Sequence, residues 1–203
     1  MEELRYTLLT DGSSDLALMP IINWLLREKL PECRILPRFA SGLGAVGLSL
    51  SDRLPVALMM FPCDLLFVHR DAEGASVEKR RKEIDDVMRG RDQVYVAIVP
   101  VRMSEAWLMS DESAIRKAAG NKNGQNKLGL PSRRRWEDRP DPKADLERAL
   151  MNATGRPARR QGRVDIPRQR LLVAEYTDDF SGLRGVPSFD FFEAQLVEKL
   201  RDI

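Results

Sequence analysis

The stretch CDLLFVHRDAEG, Cys63 to Gly74, carries an apolar run straight into His69, Arg70, Asp71 and Glu73. His69 is the only histidine in the chain. Carboxylates recur at comparable places: Asp11 follows YTLLT, with Asp15 behind it, and Glu105 and Asp111 lie in VPVRMSEAWLMSD after QVYVAIV. Acids gathered at one point repel one another unless a cation lies between them, and an all-oxygen donor set suits Mg²⁺ or Mn²⁺. Asp71 and Glu73 are two apart at the end of an extended run, so both side chains are expected to converge on one side. Each residue also has a plainer role. Asp15 and Asp111 read first as helix-start residues, one favoured by the macrodipole and the other by capping. Asp11-Gly12 suits a turn, Glu105 a surface acid and Asp71 to Glu73 a solvated turn. His69 suits either a core imidazole bonded to the backbone or a catalytic or ligating group.

A second pattern competes. SGLGAVGLSL places Gly42, Gly44 and Gly47 in a literal G-x-G-x-x-G. The dinucleotide fingerprint belongs to the first strand-to-helix turn, whereas this one follows the second strand. LSLSDRLP after it reads as a poor helix broken by Pro55, and Asp64 begins a strand where a ribose-binding acid should end one. A dinucleotide role is therefore a distant third reading. A loop over the site that touches phosphate through backbone N–H groups fits better. The chain has no G-x-x-x-x-G-K-[ST], no G-x-S-x-G and no Cys/His zinc spacing. One histidine also argues against a zinc enzyme and a Ser-His-Asp triad.

The elements that must position these residues follow from periodicity. Strand-like runs occupy Arg5–Thr10, Arg34–Phe39, Asp64–His69 and Gln93–Val99, with helical spacing between them over Asp15–Leu30 and Val77–Arg89. Pro20 is expected to kink the first helix or to mark where its regular part begins. Alternation of strand and helix predicts a mostly parallel sheet of about four strands with helices on both faces. Beyond it, a short helix at Ser110–Ala119 leads into a long loop, Asn121 to Arg139. Further helices open at Asp141-Pro142, at Pro167 and at Ser188, the last two residues marking RQRLLVAEY and FDFFEAQLVEKL. The organisation read from this is an α/β core over 1–112 and a helical C-terminal extension over 113–203, with a basic loop (121–170) packing back on the core as one compact domain.

In 203 residues, 43% are hydrophobic and 32% charged, values of a globular chain with a real core. The net charge of +2 does not by itself point to nucleic acid, but Arg133 to Arg170 holds 12 Lys and Arg against 6 Asp and Glu. Such a block can follow a phosphate backbone, or be a solvated loop. No apolar run is long enough to span a bilayer, MEELRYTLL has no basic segment of a signal peptide, and Cys33 and Cys63 form no disulfide framework. The expectation is a cytoplasmic protein with two free thiols.

A strand ending in an acid-Gly turn, a helix, and a hydrophobic strand ending in Asp-x-acid resemble the Toprim domain of topoisomerases, primases and nucleases of the overcoming-lysogenisation-defect type. SEAWLMSD and GVPSFDFFEAQLVEKL are similar to segments of a bacterial Toprim-like family of unknown function, so the resemblance covers nearly the whole chain. It implies Mg²⁺ or Mn²⁺ held by Asp11, Asp71, Glu73 and Glu105, with Asp11 and Glu105 catalytic. Two positions depart from the pattern: Asp11 stands where the family has Glu, and Glu73 where it has the second Asp. The activity implied is metal-dependent phosphodiester hydrolysis or phosphotransfer on nucleic acid, with room for an ATPase partner subunit. Arg133, Arg134, Arg135, Arg159, Arg160 and Arg163 would hold the strand, and Trp136 would stack on a base. The alternative is a non-catalytic Toprim-like module that binds nucleic acid or a partner.

Overall fold

The computed structural model describes residues 2–44, 46–47, 49–72, 76–102, 104–156 and 165–203. Four strands, β1 (Glu3–Leu9), β2 (Arg34–Phe39), β3 (Leu65–His69) and β4 (Tyr95–Ile98), pair in the order β2-β1-β3-β4, each pair parallel. All five residues of β3 are buried, as a central parallel strand covered on both faces requires.

Alternation along the strands divides the core in two. Leu4, Tyr6, Leu8, Leu65, Phe67, Val96 and Ile98 face helix α1 (Leu18–Lys29) and the C-terminal helices. Leu9, Leu66, Val68 and Ala97 face α2 (Leu50–Met60) and α3 (Val77–Met88). On the first side α4 (Glu112–Ala118), α5 (Pro142–Ala153), α6 (Ile166–Tyr176) and α7 (Pro187–Lys199) share one cluster with the sheet. Trp107 stacks on Phe192 there, ring centroids 5.9 Å apart. Gln195 of α7 accepts the Ala97 N–H at 2.8 Å and so satisfies a donor of the edge strand.

Local chemistry explains most element ends. Pro20 sits in the first turn of α1, where its missing N–H costs nothing. Asp111, Asp141 and Asp165 each accept N–H bonds from the first turn of α4, α5 and α6. The expectation for LSLSDRLP is corrected: α2 runs through Pro55. Ser49 caps it by accepting the Asp52 N–H at 3.2 Å, and burial of Leu50, Leu54 and Ala57 offsets the proline penalty of about 3 kcal/mol. Ser188 does not cap the last helix. It lies inside α7, buried, where its hydroxyl donates to Glu137 and accepts from Trp107 Nε1. No helix among the described residues is long and apolar enough to cross a membrane.

Candidate functional site

Strand order reverses between β1 and β3, whose onward connections pack on opposite faces. Beyond their carboxyl ends such a sheet leaves a crevice. A polar cleft of about 270 Å³ opens there, lined by Asp11, Gly12, Ser14, Asp15, His69 and Asp71.

His69 ends β3 and is 2% exposed. Its Nδ1 lies 3.0 Å from the carbonyl oxygen of Ile98. A carbonyl only accepts, so Nδ1 carries the hydrogen. Nε2 then faces Asp71 Oδ1 at 3.4 Å and Asp15 Oδ1 at 3.8 Å. A bare lone pair would oppose two carboxylates, so this point demands positive charge: a second proton or another cation. Burial pulls the imidazole pKa down, but contact with Asp71, the charges of Asp71 and Asp15 and the Ile98 carbonyl outweigh it, and the net shift is upward. Among the described residues, Asp71 Oδ1 is buried without a hydrogen-bond partner of good geometry.

Asp15 arrives from a 3₁₀ turn, Ser13–Ala17, that delivers the chain from β1 to α1. It is 9% exposed and accepts only long bonds, 3.3 Å from Gly12 N and 3.4 Å from Ser14 Oγ. The helix-start role and the site role therefore fall on the same side chain.

Asp11 belongs to the other face. Leu9 pairs with Val68, and continuing that register sets Asp11 beside Arg70. Arg70 Nε lies 2.7 Å from Asp11 Oδ2, and Arg53 Nη1 lies 3.6 Å from Oδ1. Arg70 is fixed in turn by Glu83 at 2.7 Å. Burial raises the Asp11 carboxyl pKa, against the charges of Arg70, His69 and Arg53.

Glu105 lies in the 3₁₀ segment Ser104–Ser110, 5% exposed, paired with Arg170 of α6. Burial holds the Arg170 guanidinium below its usual pKa, while the charges of Asp15 and Asp71 act the other way.

Of the sequence-predicted residues, the fold brings Asp11 and Asp71 to one cleft, while Glu105 is not among its lining and is buried against Arg170. Glu73, Arg159, Arg160 and Arg163 lie outside the described residues. Gly42, Gly44 and Gly47 line a neighbouring cleft that shares Asp11 and Gly12 with the first. Arg133, Arg134 and Arg135 are exposed on a 3₁₀ turn. The expectation for Trp136 is corrected: it is 7% exposed in the core, its Nε1 donating to the Pro131 carbonyl at 3.0 Å, and its ring is not free to stack on a base. Asp111 is a helix cap, as its plainer reading held. Arg53, Arg70 and Arg170 were not singled out from the sequence. Only their final neighbours mark them.

No protein-family model, curated protein or solved structure matches the chain. Among the described residues, no group of three or more His, Cys, Asp or Glu side chains is arranged so that it could hold a metal ion.

Proposed function

We propose that the chain is a Toprim-like, divalent-cation-dependent phosphodiester hydrolase acting on nucleic acid, with its reactive centre at His69, Asp71 and Asp15. The observation that carries this reading is the fixed imidazole: Ile98 holds the Nδ1 hydrogen, and Nε2 is turned towards two carboxylates. Histidines that bind metal typically donate their other ring N–H in this way. The buried Asp71 Oδ1, whose contact among the described residues is the 3.4 Å approach of His69 Nε2, fits the same role.

The residues that would hold the cation are therefore His69, Asp71 and Asp15, with Asp11 and Glu105 set aside by their arginines. A divalent cation bound there supplies charge stabilisation at phosphate oxygen and a more acidic water. Asp11 lines the same cleft with Oδ2 beside Arg70, and on this reading its Oδ1 would be the oxygen that takes a proton from the attacking water. Arg170 keeps Glu105 neutralised and limits repulsion between Asp15 and Asp71. An imidazole in the donor set shifts preference from Mg²⁺ towards Mn²⁺.

A second reading, a binding module without turnover, draws on one observation: Asp11 and Glu105 already have arginine partners. The test is cleavage of single- and double-stranded DNA and RNA with Mn²⁺, Mg²⁺ or chelator, for wild type and Asp71→Asn. Metal-dependent cleavage lost in Asp71→Asn supports the hydrolase. Binding without cleavage under every condition supports the module instead.

A further inference from the structure

The cleft beside the carboxylates has a floor of different chemistry. It encloses about 340 Å³ and is lined by the end of β1, the end of β2, the glycine segment and Arg53. Gly42 and Gly44 have φ of +65° and +77°, and a Cβ at either would meet nothing within 4 Å. Glycine is favoured there by backbone conformation and not by crowding, and neither residue sets a side chain of its own into the cleft it lines. Gly47 is glycine for the opposite reason. A Cβ would lie 2.1 Å from Asp52 Oδ2, an atom held by the Ser49 hydroxyl at 2.6 Å. The loop is thereby anchored to the start of α2, which carries Arg53.

Arg53 is the unusual member. Its side chain is 17% exposed, yet among the described residues it makes no hydrogen bond, and its one ion contact is the 3.6 Å approach to Asp11. Its unpaired guanidinium nitrogens are not among the buried atoms, so they stay open to the solvent of the cleft and available to an anion. Asp11, the one carboxylate lining this cleft among the described residues, is already engaged by Arg70 at 2.7 Å. The cleft therefore presents an unspent cation, bare glycine amides and the hydroxyls of Ser13 and Ser41, a set of donors suited to an anion.

We infer that this cleft is a phosphate subsite, in which Arg53, Gly42 and Gly44 hold the backbone phosphate next to the one presented to His69 and Asp71. The inference rests on the nucleic-acid reading above and adds to it where the strand runs: across Asp11 and Gly12, which both clefts share, towards the end of β2.

The test uses isotope-labelled full-length protein in chelator and a 5′-phosphorylated thymidine dinucleotide as probe. The Gly42 and Gly44 amide resonances should shift on titration. Arg53→Ala should weaken binding about tenfold and reduce the slope of log affinity against log salt by about one. Arg53→Lys, which keeps the charge without the fork, should fall between. Unmoved glycine resonances in wild type, or an Arg53→Ala protein that binds with wild-type affinity and salt slope, would overturn the subsite. The glycine footprint needs no variant, so misfolding of Arg53→Ala would not blunt the test. Because binding is read without metal, it is independent of turnover: glycine shifts and Arg53-dependent binding, together with no cleavage when Mn²⁺ or Mg²⁺ is supplied, would sink the hydrolase reading and leave the subsite standing. Cleavage with an unmoved glycine segment does the reverse.

Discussion

Changing Glu105 to Gln tests whether Arg170 serves one carboxylate or three. The two side chains are 7% and 10% exposed, so their pairing is a buried one. Removing one partner of such a pair costs about 3–5 kcal/mol, because the other charge stays behind unpaired. Arg170 still feels Asp15 and Asp71, which places Glu105→Gln at the low end, about 3 kcal/mol. For a chain of this length that lowers the unfolding midpoint by about 6–12 °C. Arg170→Met should cost more, about 4–5 kcal/mol, since it strips countercharge from Glu105, Asp15 and Asp71 together. Combining Glu105→Leu with Arg170→Met replaces the pair by apolar groups, a change that is often neutral or stabilising by itself. Here it should recover only part of the loss, as Asp15 and Asp71 remain uncompensated. Mn²⁺ should then stabilise this double variant more than wild type. The assay is thermal and denaturant unfolding of the four proteins, with Mn²⁺ and with chelator. A Glu105→Gln protein within about 1 kcal/mol of wild type would refute the buried pair. A double variant that recovers fully and ignores Mn²⁺ would show that Arg170 serves Glu105 alone.

Three further outcomes are expected. At about a hundredfold excess over its dissociation constant, Mn²⁺ should stabilise wild type by about 2.7 kcal/mol, and Asp71→Asn should lose that increment in a thermal-shift titration; an intact shift would remove Asp71 from the ligands. Asp145 is buried under Arg139 and Arg148, whose hydrogen bonds and charges hold its carboxyl below the usual range. Its contribution is therefore present above the ordinary carboxylate pKa and lost as pH falls through the depressed one, so Asp145→Asn should cost about 2 kcal/mol near neutrality and nothing measurable in strong acid; a gap independent of pH in denaturant melts would contradict the pairing. Changing Arg133, Arg134 and Arg135 together to Ala should weaken nucleic-acid binding and flatten its salt dependence by about one unit per lost phosphate contact, while an unchanged slope would move the binding surface elsewhere.

The sheet was legible because its signal is local. YTLL, DLLFV and QVYVAIV are apolar on both faces, and that alone asks for a parallel sheet between helix layers. Proline at α2 misled for the same reason: a local penalty was visible, while the burial of Leu50, Leu54 and Ala57 that offsets it was not. Trp136 among arginines looked like an exposed ring because its cover is assembled from remote helices. The site shows the limit most clearly. Strand ends rich in acid pointed to the crevice, but their repulsion was read as needing a metal. The cations that answer it, Arg53, Arg70 and Arg170, come from α2, the end of β3 and α6. Of these only Arg70 was within reach of pattern reasoning, through the register that sets Asp11 beside it. Alternation also separates Asp11 from Asp71 by face, so counting acids at strand ends overstates the ligands available. What is left without an arginine in contact is the point between His69 Nε2, Asp71 and Asp15, where positive charge, carried by a second imidazole proton or by another cation, balances the two carboxylates.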